Sequence, residues 1–131
     1  MMTTPKLKPR ETVILVDDFH LMVEWYRDVL GFKVTKLIDE GMHFGNLETD
    51  SGIRIGIGVA KEVHVELGDG CSNAVLLQFE AEDVALLLAH VDACGGRIEH
   101  GPDFNQAKGF WYGAFADPEG NPCWVVDSAC P

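Results

Sequence analysis

The side chains that could bind a metal ion or act as nucleophiles are five histidines and four cysteines. No two histidines have the H-x-x-x-H or H-E-x-x-H spacing that places two imidazoles on one helix face, and no two cysteines have the C-x-x-C spacing typical of zinc and redox sites. His64 and Glu66 would share one face of an extended segment, which is a weak indication of acid–base chemistry. The spacings therefore predict reduced thiols and no zinc cluster.

The elements that must position any site come from an internal repeat. The stretch Asp117-Pro118-Glu119-Gly120-Asn121 predicts a tight hairpin turn, because Pro118 fixes φ at the second turn position and Gly120 tolerates a left-handed backbone. Two pairs of segments align. Residues 44–56 align with residues 112–124, which contain the hairpin turn, at an offset of 68, and residues 18–34 align with residues 83–99 at an offset of 65. Such a period predicts two copies of one structural unit.

Length and composition describe an ordinary globular chain with a single domain, 1–131. The 131 residues are enough to bury a core without disulfides, 47% of them are hydrophobic, and no apolar run reaches membrane-spanning length. The N-terminal stretch carries charge without an apolar run, so we expect no signal peptide and a cytoplasmic location. The net charge of −11 disfavours nucleic-acid and membrane partners and favours cationic ligands.

Hydrophobic periodicity predicts the order βαβββ in each copy. Asp17 or Asp18 would cap the first helix, which ends at Gly31, and Gly95 and Gly96 would end the second. Repeat one, about 11–59, has strands at 12–16, 32–38, 42–49 and 53–59. Repeat two, about 73–127, has a strand at 73–79, a helix at 83–94, a strand from 97, a polar loop at 101–108 and the hairpin strands. The linker, about 60–72, contains a short extended piece at 63–65.

Four motifs follow one another in this architecture: Val16-Asp17-Asp18, Trp25-Tyr26-Arg27-Asp28-Val29-Leu30-Gly31-Phe32, Gly95-Gly96 and Asp117-Pro118-Glu119-Gly120-Asn121. In this combination the sequence, from about residue 11 to 127, resembles the vicinal oxygen chelate superfamily. That superfamily includes glyoxalase I, fosfomycin-resistance enzymes, extradiol dioxygenases and bleomycin-resistance proteins. The resemblance implies an α+β fold in which two tandem βαβββ repeats form a curled antiparallel sheet, a cup with the helices outside. It also implies a homodimer that completes the cups.

In the metal-dependent members of the superfamily, four nitrogen or oxygen ligands lie on the first and last strands of each repeat. Counting from the motifs and applying the repeat offsets, the corresponding positions are Glu11, Gly56, Leu76 and Trp124. Only Glu11 has a side chain that ligates a metal. We therefore predict no cofactor. The alternative is a divalent metal held by Glu11, with further ligands from His43, His64 or a partner chain.

Strand alternation assigns the side chains that would line the cup. The predicted ligand-binding residues combine stacking surfaces, a planar donor group and hydrogen-bond acceptors: Trp124, Arg54, Glu11, Gln78, Trp111 and Phe110. Gly56 and Gly58 would leave room for a ligand. The purely structural alternative is an Arg54–Glu11 ion pair beside a Trp124 that plugs the cup. Cys123 would face away from the cup, among acidic groups that raise its pKa.

Two main functions are compatible with these residues. The first is a small-molecule-binding protein, similar to the metal-free bleomycin-resistance proteins and thus to antibiotic resistance, that sequesters a planar or cationic ligand in an aromatic cup. The second is a metal-dependent lyase, isomerase or ring-cleaving dioxygenase, which would polarise two vicinal oxygens of its substrate. A regulatory binding module is a third interpretation, which the sequence does not separate from the first.

Overall fold

The two copies of the repeat fold into two similar units in the computed structural model, which describes residues 5–6, 9–68 and 75–131. The first unit consists of β1 (Thr12–Val16), α1 (Phe19–Asp28), β2 (Lys33–Ile38), β3 (Phe44–Glu48) and β4 (Arg54–Val59). The second unit consists of β5 (Leu77–Glu80), α2 (Val84–Ala93), β6 (Arg97–Asn105), β7 (Phe110–Ala116) and β8 (Pro122–Val126). Within the described residues, neither helix is long enough to cross a membrane.

Each unit forms one four-stranded sheet with a helix packed on it, which confirms the predicted α+β class and the βαβββ order. The strand orders are β1-β4-β3-β2 and β5-β8-β7-β6. β1 runs parallel to β4 and β5 parallel to β8, whereas the remaining neighbours are antiparallel. The sheets are mixed because each helix carries the chain across its sheet, so that the first strand of a unit ends up beside the last.

Both helices begin at the aspartates that the repeat aligns. The Asp18 carboxylate accepts a hydrogen bond from the Leu21 amide at 3.1 Å, and Asp83 accepts one from the Leu86 amide at 2.9 Å. Each bond satisfies an amide that the first helical turn leaves without a partner. Gly31 follows α1 with a φ of 76°, a left-handed conformation that glycine adopts without steric cost.

One hydrophobic core lies on the helix side of both sheets and joins the two units. The Trp25 ring of α1 lies 6.4 Å from the Phe115 ring of β7, and the Phe32 ring lies 5.9 Å from the Phe79 ring of β5. Since strand side chains alternate between faces, the other face of each sheet points away from this core. We call it the open face, and any cup-like site must lie on it.

A polar connection also joins the units. The Glu119 carboxylate, in the turn between β7 and β8, accepts hydrogen bonds from the amides of Asp17 and Asp18, each at 2.8 Å. The Tyr26 hydroxyl of α1 donates to Asp117 Oδ2 at 2.9 Å. The hairpin turn of the second unit is thereby fixed to the start and the middle of α1.

The prediction of a polar loop at 101–108 is wrong, because β6 continues to Asn105. β6 is an edge strand, and its register with β7 shifts twice between residues 98 and 103. Gly101 and Pro102 lie at these irregularities, where proline need not donate a ladder hydrogen bond. The glycine and proline content that indicated a loop therefore belongs to a bulged strand.

The extended piece predicted at 63–65 is also wrong. A 3-10 helix spans Ala60–Val63, and His64 follows it in a left-handed conformation with a φ of 58°. Of the strand predicted at 73–79, residues 73–74 lie outside the described residues, and β5 begins at Leu77. The last part of the predicted linker lies outside them as well.

Candidate functional site

A polar cluster of Glu11, Asn46 and Arg54 lies on the open face of the first sheet. Glu11 directly precedes β1, and its Oε2 accepts a hydrogen bond from Asn46 Nδ2 at 2.7 Å. Arg54 Nε lies 3.6 Å from the same oxygen. The side chain of Glu11 is only 10% exposed, whereas that of Arg54 is 40% exposed. The ion pair that the sequence predicts as the structural alternative is therefore formed, and the Glu11 carboxylate already has two protein partners.

The Phe44 ring covers the adjacent part of this face. A Cβ atom added to Gly56 would lie 2.7 Å from Phe44 Cζ and 3.2 Å from Val13 Cγ2. One added to Gly58 would lie 3.5 Å from Phe44 Cδ2. The prediction that these glycines leave room for a ligand is thus wrong. Phe44, which pairs with Gly58 across the sheet, packs against both glycines.

The four superfamily metal positions do not fit a divalent metal in this chain. Glu11 is the one residue of the four with a ligating side chain, and it is held by Asn46 and Arg54. Gly56 lies under the Phe44 ring, and Trp124 contributes an indole. A divalent metal needs several nitrogen or oxygen donors within about 2.0–2.2 Å, and these positions do not supply them.

The open face of the second sheet is aromatic. Trp124 of β8 pairs with Gln78 of β5 and with Ala114 of β7, and it is 48% exposed. Tyr112 lies on the same face two residues before Ala114, and its ring lies 5.9 Å from that of Phe110. We call Trp124, Tyr112 and Phe110 the aromatic face.

Trp111 lies on the opposite side of β7 from the aromatic face. Strand alternation groups it with Gly113, where an added Cβ would lie 2.6 Å from Leu88 of α2. Its ring, 45% exposed, lies 5.1 Å from that of Phe104. Of the six predicted ligand-binding residues, three therefore share the open face of the second sheet, two share that of the first, and Trp111 shares neither.

Two carboxylates flank the aromatic face, and sequence reasoning missed both. Glu80 of β5 pairs with Val126, which pairs with Tyr112, which in turn pairs with Asp103 of β6. The four residues thus form one row across the sheet. Strand alternation from Gln78 would have placed Glu80 on the same face. Asp103 could not be assigned to a face because it lay in the loop predicted at 101–108.

The acidic turn beneath β8 is a structural cluster. Asp117, 3% exposed, accepts hydrogen bonds from Tyr26, from Asn121 Nδ2 at 2.7 Å and from two turn amides. Burial, followed by the charge of Asp117, raises the pKa of Cys123 to about 12. Burial also raises the pKa of Tyr26 well above its ordinary value. Cys123 is therefore protonated at neutral pH; the sequence predicts a raised pKa from acidic neighbours, whereas burial is the larger cause.

A groove of about 380 Å³ lies between β1 and β5. Val13, Tyr26, Leu76 and Pro122 are among the residues that line it, and the six predicted ligand-binding residues are not. Those six lie on sheet surfaces instead.

The structure brings together two histidines that the sequence leaves far apart. His20 of α1 and His43, directly before β3, both contact Asp39, directly after β2. The sequence predicts His43 only as a further metal ligand beside Glu11. In the structure His43 contacts Asp39 instead. The separation of 23 residues between the two histidines matches no local metal motif, so no signal in the sequence points to this cluster.

Comparison with known proteins agrees with this fold. The Glyoxalase/Bleomycin resistance protein/Dioxygenase superfamily model matches residues 8–125. A glyoxalase/bleomycin resistance protein/dioxygenase family enzyme from Burkholderia phytofirmans PsJN superposes with a TM-score of 0.73 at 20% identity, covering 89% of this chain and 95% of that one. A superfamily member from Sphaerobacter thermophilus gives 0.72 at 18%, covering 94% and 98%. A hypothetical protein from S. aureus gives 0.76 at 17%, covering 94% and 95%. No curated protein matches the sequence.

Proposed function

Since the chain belongs to the Glyoxalase/Bleomycin resistance protein/Dioxygenase superfamily, we propose that it is a small-molecule-binding protein that sequesters a planar, cationic organic ligand on its aromatic face. The observation that carries this proposal is Trp124, which is 48% exposed on an inner strand of its sheet. Its indole presents a flat π surface that attracts cations and stacks on planar rings. A bound ligand would remove this surface from water.

The charge around the aromatic face supports a cationic ligand. Glu80 and Asp103 lie at the two ends of the row that contains Tyr112. Carboxylates beside an aromatic surface attract a positive charge, and the net charge of −11 adds a long-range attraction of the same sign.

We propose that no metal takes part in this binding. The alternative, an enzyme with Glu11 as a metal ligand, has weaker support because Glu11 would have to leave both Asn46 and Arg54. The Asn46 amide, which is 8% exposed, would then lose the acceptor of its hydrogen bond, which is costly. Sequestration, which needs no chemical step, uses the residues that are present.

We also propose that the protein acts as a homodimer in the cytoplasm. Val13 and Trp124, on the open faces of the two sheets, are 45% and 48% exposed in a single chain. A second subunit that faces these surfaces would enclose the ligand, and sedimentation equilibrium would measure the mass of the assembly.

Calorimetric titration with ethidium, a planar organic cation, tests the proposed ligand class. Wild-type protein is expected to bind it, and Trp124→Ala to weaken binding by roughly 5–30-fold, since a desolvated cation–π contact is worth about 1–2 kcal/mol. Trp111→Ala is the matched control, because Trp111 has nearly the same exposure on the other side of β7. Glu80→Gln should weaken binding of ethidium and reduce its salt dependence.

Three results would contradict the proposal. Trp111→Ala could weaken binding as much as Trp124→Ala, which would place the ligand elsewhere. A planar anion such as naphthalene sulfonate could bind as tightly as ethidium, which would remove the role of the carboxylates. The third result is that ethidium, the planar anion and a cationic glycopeptide all fail to bind, which would refute the ligand class.

A further inference from the structure

Three side chains around the turn between β2 and β3 converge on one point. His20 Nε2 and His43 Nε2 each lie 3.2 Å from Asp39 Oδ1, and the three ligand atoms lie within 4.8 Å of one another. None of these residues belongs to the aromatic face or to the superfamily's metal positions. The cluster is therefore a separate feature of the first unit.

Glu62 fixes the ring of His43. Glu62 Oε2 lies 2.7 Å from His43 Nδ1, and Glu62 Oε1 accepts a hydrogen bond from the His43 amide at 2.8 Å. A carboxylate oxygen only accepts hydrogen bonds, so this contact places a proton on His43 Nδ1. A histidine that donates Nδ1–H to a carboxylate presents its Nε2 lone pair as a metal ligand, as is usual around bound zinc.

The arrangement of these side chains suits a cation at the centre of the cluster. With Nδ1 directed at Glu62, a neutral His43 would aim its Nε2 lone pair at the negatively charged oxygen of Asp39. His20 approaches the same oxygen at the same distance. A metal ion between the three side chains would accept a lone pair from each imidazole nitrogen and from the Asp39 oxygen.

The two nitrogen–oxygen distances are compatible with a tetrahedral metal, and the two imidazole nitrogens lie within 4.8 Å of each other. Bonds of about 2.0–2.2 Å place neighbouring ligand atoms roughly 3.3–3.6 Å apart, close to the 3.2 Å between Asp39 Oδ1 and each imidazole nitrogen. Two imidazoles and a carboxylate are the donors that zinc and similar divalent transition metals prefer. The side chains of His20, Asp39 and His43 are 60%, 45% and 36% exposed, so an ion can enter from solvent.

We propose that His20, Asp39 and His43 bind a divalent transition-metal ion such as zinc, with Glu62 as the positioning residue and water in the remaining coordination position. The ion would join the turn between β2 and β3 to the first turn of α1. Its role is structural: it would hold together two segments that these side chains connect through charge. This site does not depend on ligand binding at the aromatic face.

Calorimetric titration of the full chain with zinc tests this site. Wild-type protein is expected to bind one ion per chain, with a rise in melting temperature because the ion binds the native state. His20→Ala and His43→Ala should each weaken binding by more than 100-fold, and Glu62→Gln by roughly 10–100-fold, the range for a residue that orients a ligand. His100→Ala is the control, because His100 is an exposed histidine beside Asp103 in the second unit.

Cobalt(II) spectroscopy on the same variants identifies the donor atoms. Ligand-field bands without thiolate charge transfer, present in wild-type protein and absent in His20→Ala, are expected. A thiolate charge-transfer band would assign the metal to cysteines and overturn the proposal. Unchanged zinc affinity in His20→Ala, whose exposed side chain can be removed without loss of packing, would overturn it too, as would equal weakening in His100→Ala.

Discussion

Alanine at Gly113 is expected to destabilise the protein, whereas alanine at Gly45, its counterpart in the repeat, is not. A Cβ at Gly113 would lie 2.6 Å from Leu88 Cδ1 and 3.0 Å from the backbone oxygen of His100. Leu88 is 3% exposed, so its side chain has little room to move. At Gly45 the nearest atoms would be side-chain carbons at 3.6 Å, an ordinary contact distance. The helix of the second unit thus packs more closely on its sheet at this position.

The magnitudes follow from these distances. Overpacking a tight core costs about 1–3 kcal/mol, and the backbone contact places Gly113→Ala in the upper half of that range. For a chain of 131 residues this corresponds to a fall in melting temperature of roughly 6–12 °C. Gly45→Ala is expected to lower the unfolding free energy by no more than about 0.5 kcal/mol and to raise it by no more than about 1 kcal/mol. A gain would arise because alanine restricts the unfolded chain.

Urea unfolding followed by circular dichroism measures both variants. A double variant that adds Leu88→Ala to Gly113→Ala should be more stable than the sum of the two single losses predicts, by about 0.5–3 kcal/mol, since the deleted atom is the one that clashes. Equal stability of Gly113→Ala and Gly45→Ala would refute the packing argument, and so would strictly additive losses in the double variant.

Three further predictions concern the connection between the units, pH and the first sheet. Glu119→Ala should cost roughly 1–3 kcal/mol of unfolding free energy in urea, because it removes two charge-assisted hydrogen bonds at the start of α1. Because the pKa of Cys123 is raised in the native state, the unfolded chain loses the thiol proton at a lower pH than the native protein does. The unfolding free energy should therefore fall from about pH 9 upwards, by about 1.4 kcal/mol per pH unit. Cys123→Ala should remove this part of the pH dependence. Gly56→Ala should cost about 1–2 kcal/mol, and more than Gly58→Ala, because its Cβ would meet the Phe44 ring at 2.7 Å against 3.5 Å.

Matched variants separate these effects from general ones. Glu40→Ala removes an exposed acidic charge and should leave the stability within about 0.5 kcal/mol. Cys94→Ala removes an exposed thiol and should leave the alkaline slope unchanged. A Glu119→Ala protein as stable as Glu40→Ala, or equal losses at Gly56 and Gly58, would each contradict the corresponding argument. For Cys123 the contradicting result is a slope between about pH 9 and 10 that survives Cys123→Ala, because the raised pKa of Tyr26 adds its own slope only at higher pH.

Local chemistry is the part of this fold that the sequence predicts well. Asp18, one of the two aspartates predicted to cap the first helix, does so because capping depends on a side chain and an amide three residues apart. The hairpin around Gly120 forms because turn geometry depends on a few adjacent residues. The loop predicted at 101–108 fails because glycine and proline occur equally in bulged edge strands, which only the position of β6 in the sheet distinguishes.

Contacts between distant residues account for what the sequence does not predict. Alternation places Trp124 and Gln78 on one face, but it does not show that Phe44 fills the space over Gly56. The predicted room for a ligand above Gly56 and Gly58 depended on that space. The pairing of His20 with His43 arises only when the turn between β2 and β3 meets the start of α1. Three-dimensional proximity of this kind leaves no periodic pattern to read.

The most direct test of the proposed binding surface is a titration of isotope-labelled protein with ethidium, followed through the three tryptophan indole N–H signals in nitrogen-correlated NMR spectra. Trp25 is buried in the core and serves as the internal reference, and the variants Trp111→Phe and Trp124→Phe together assign the three signals. A saturable shift of the Trp124 signal, with those of Trp25 and Trp111 unchanged, is the predicted result. A shift of Trp111 with Trp124 unaffected would contradict binding at the aromatic face.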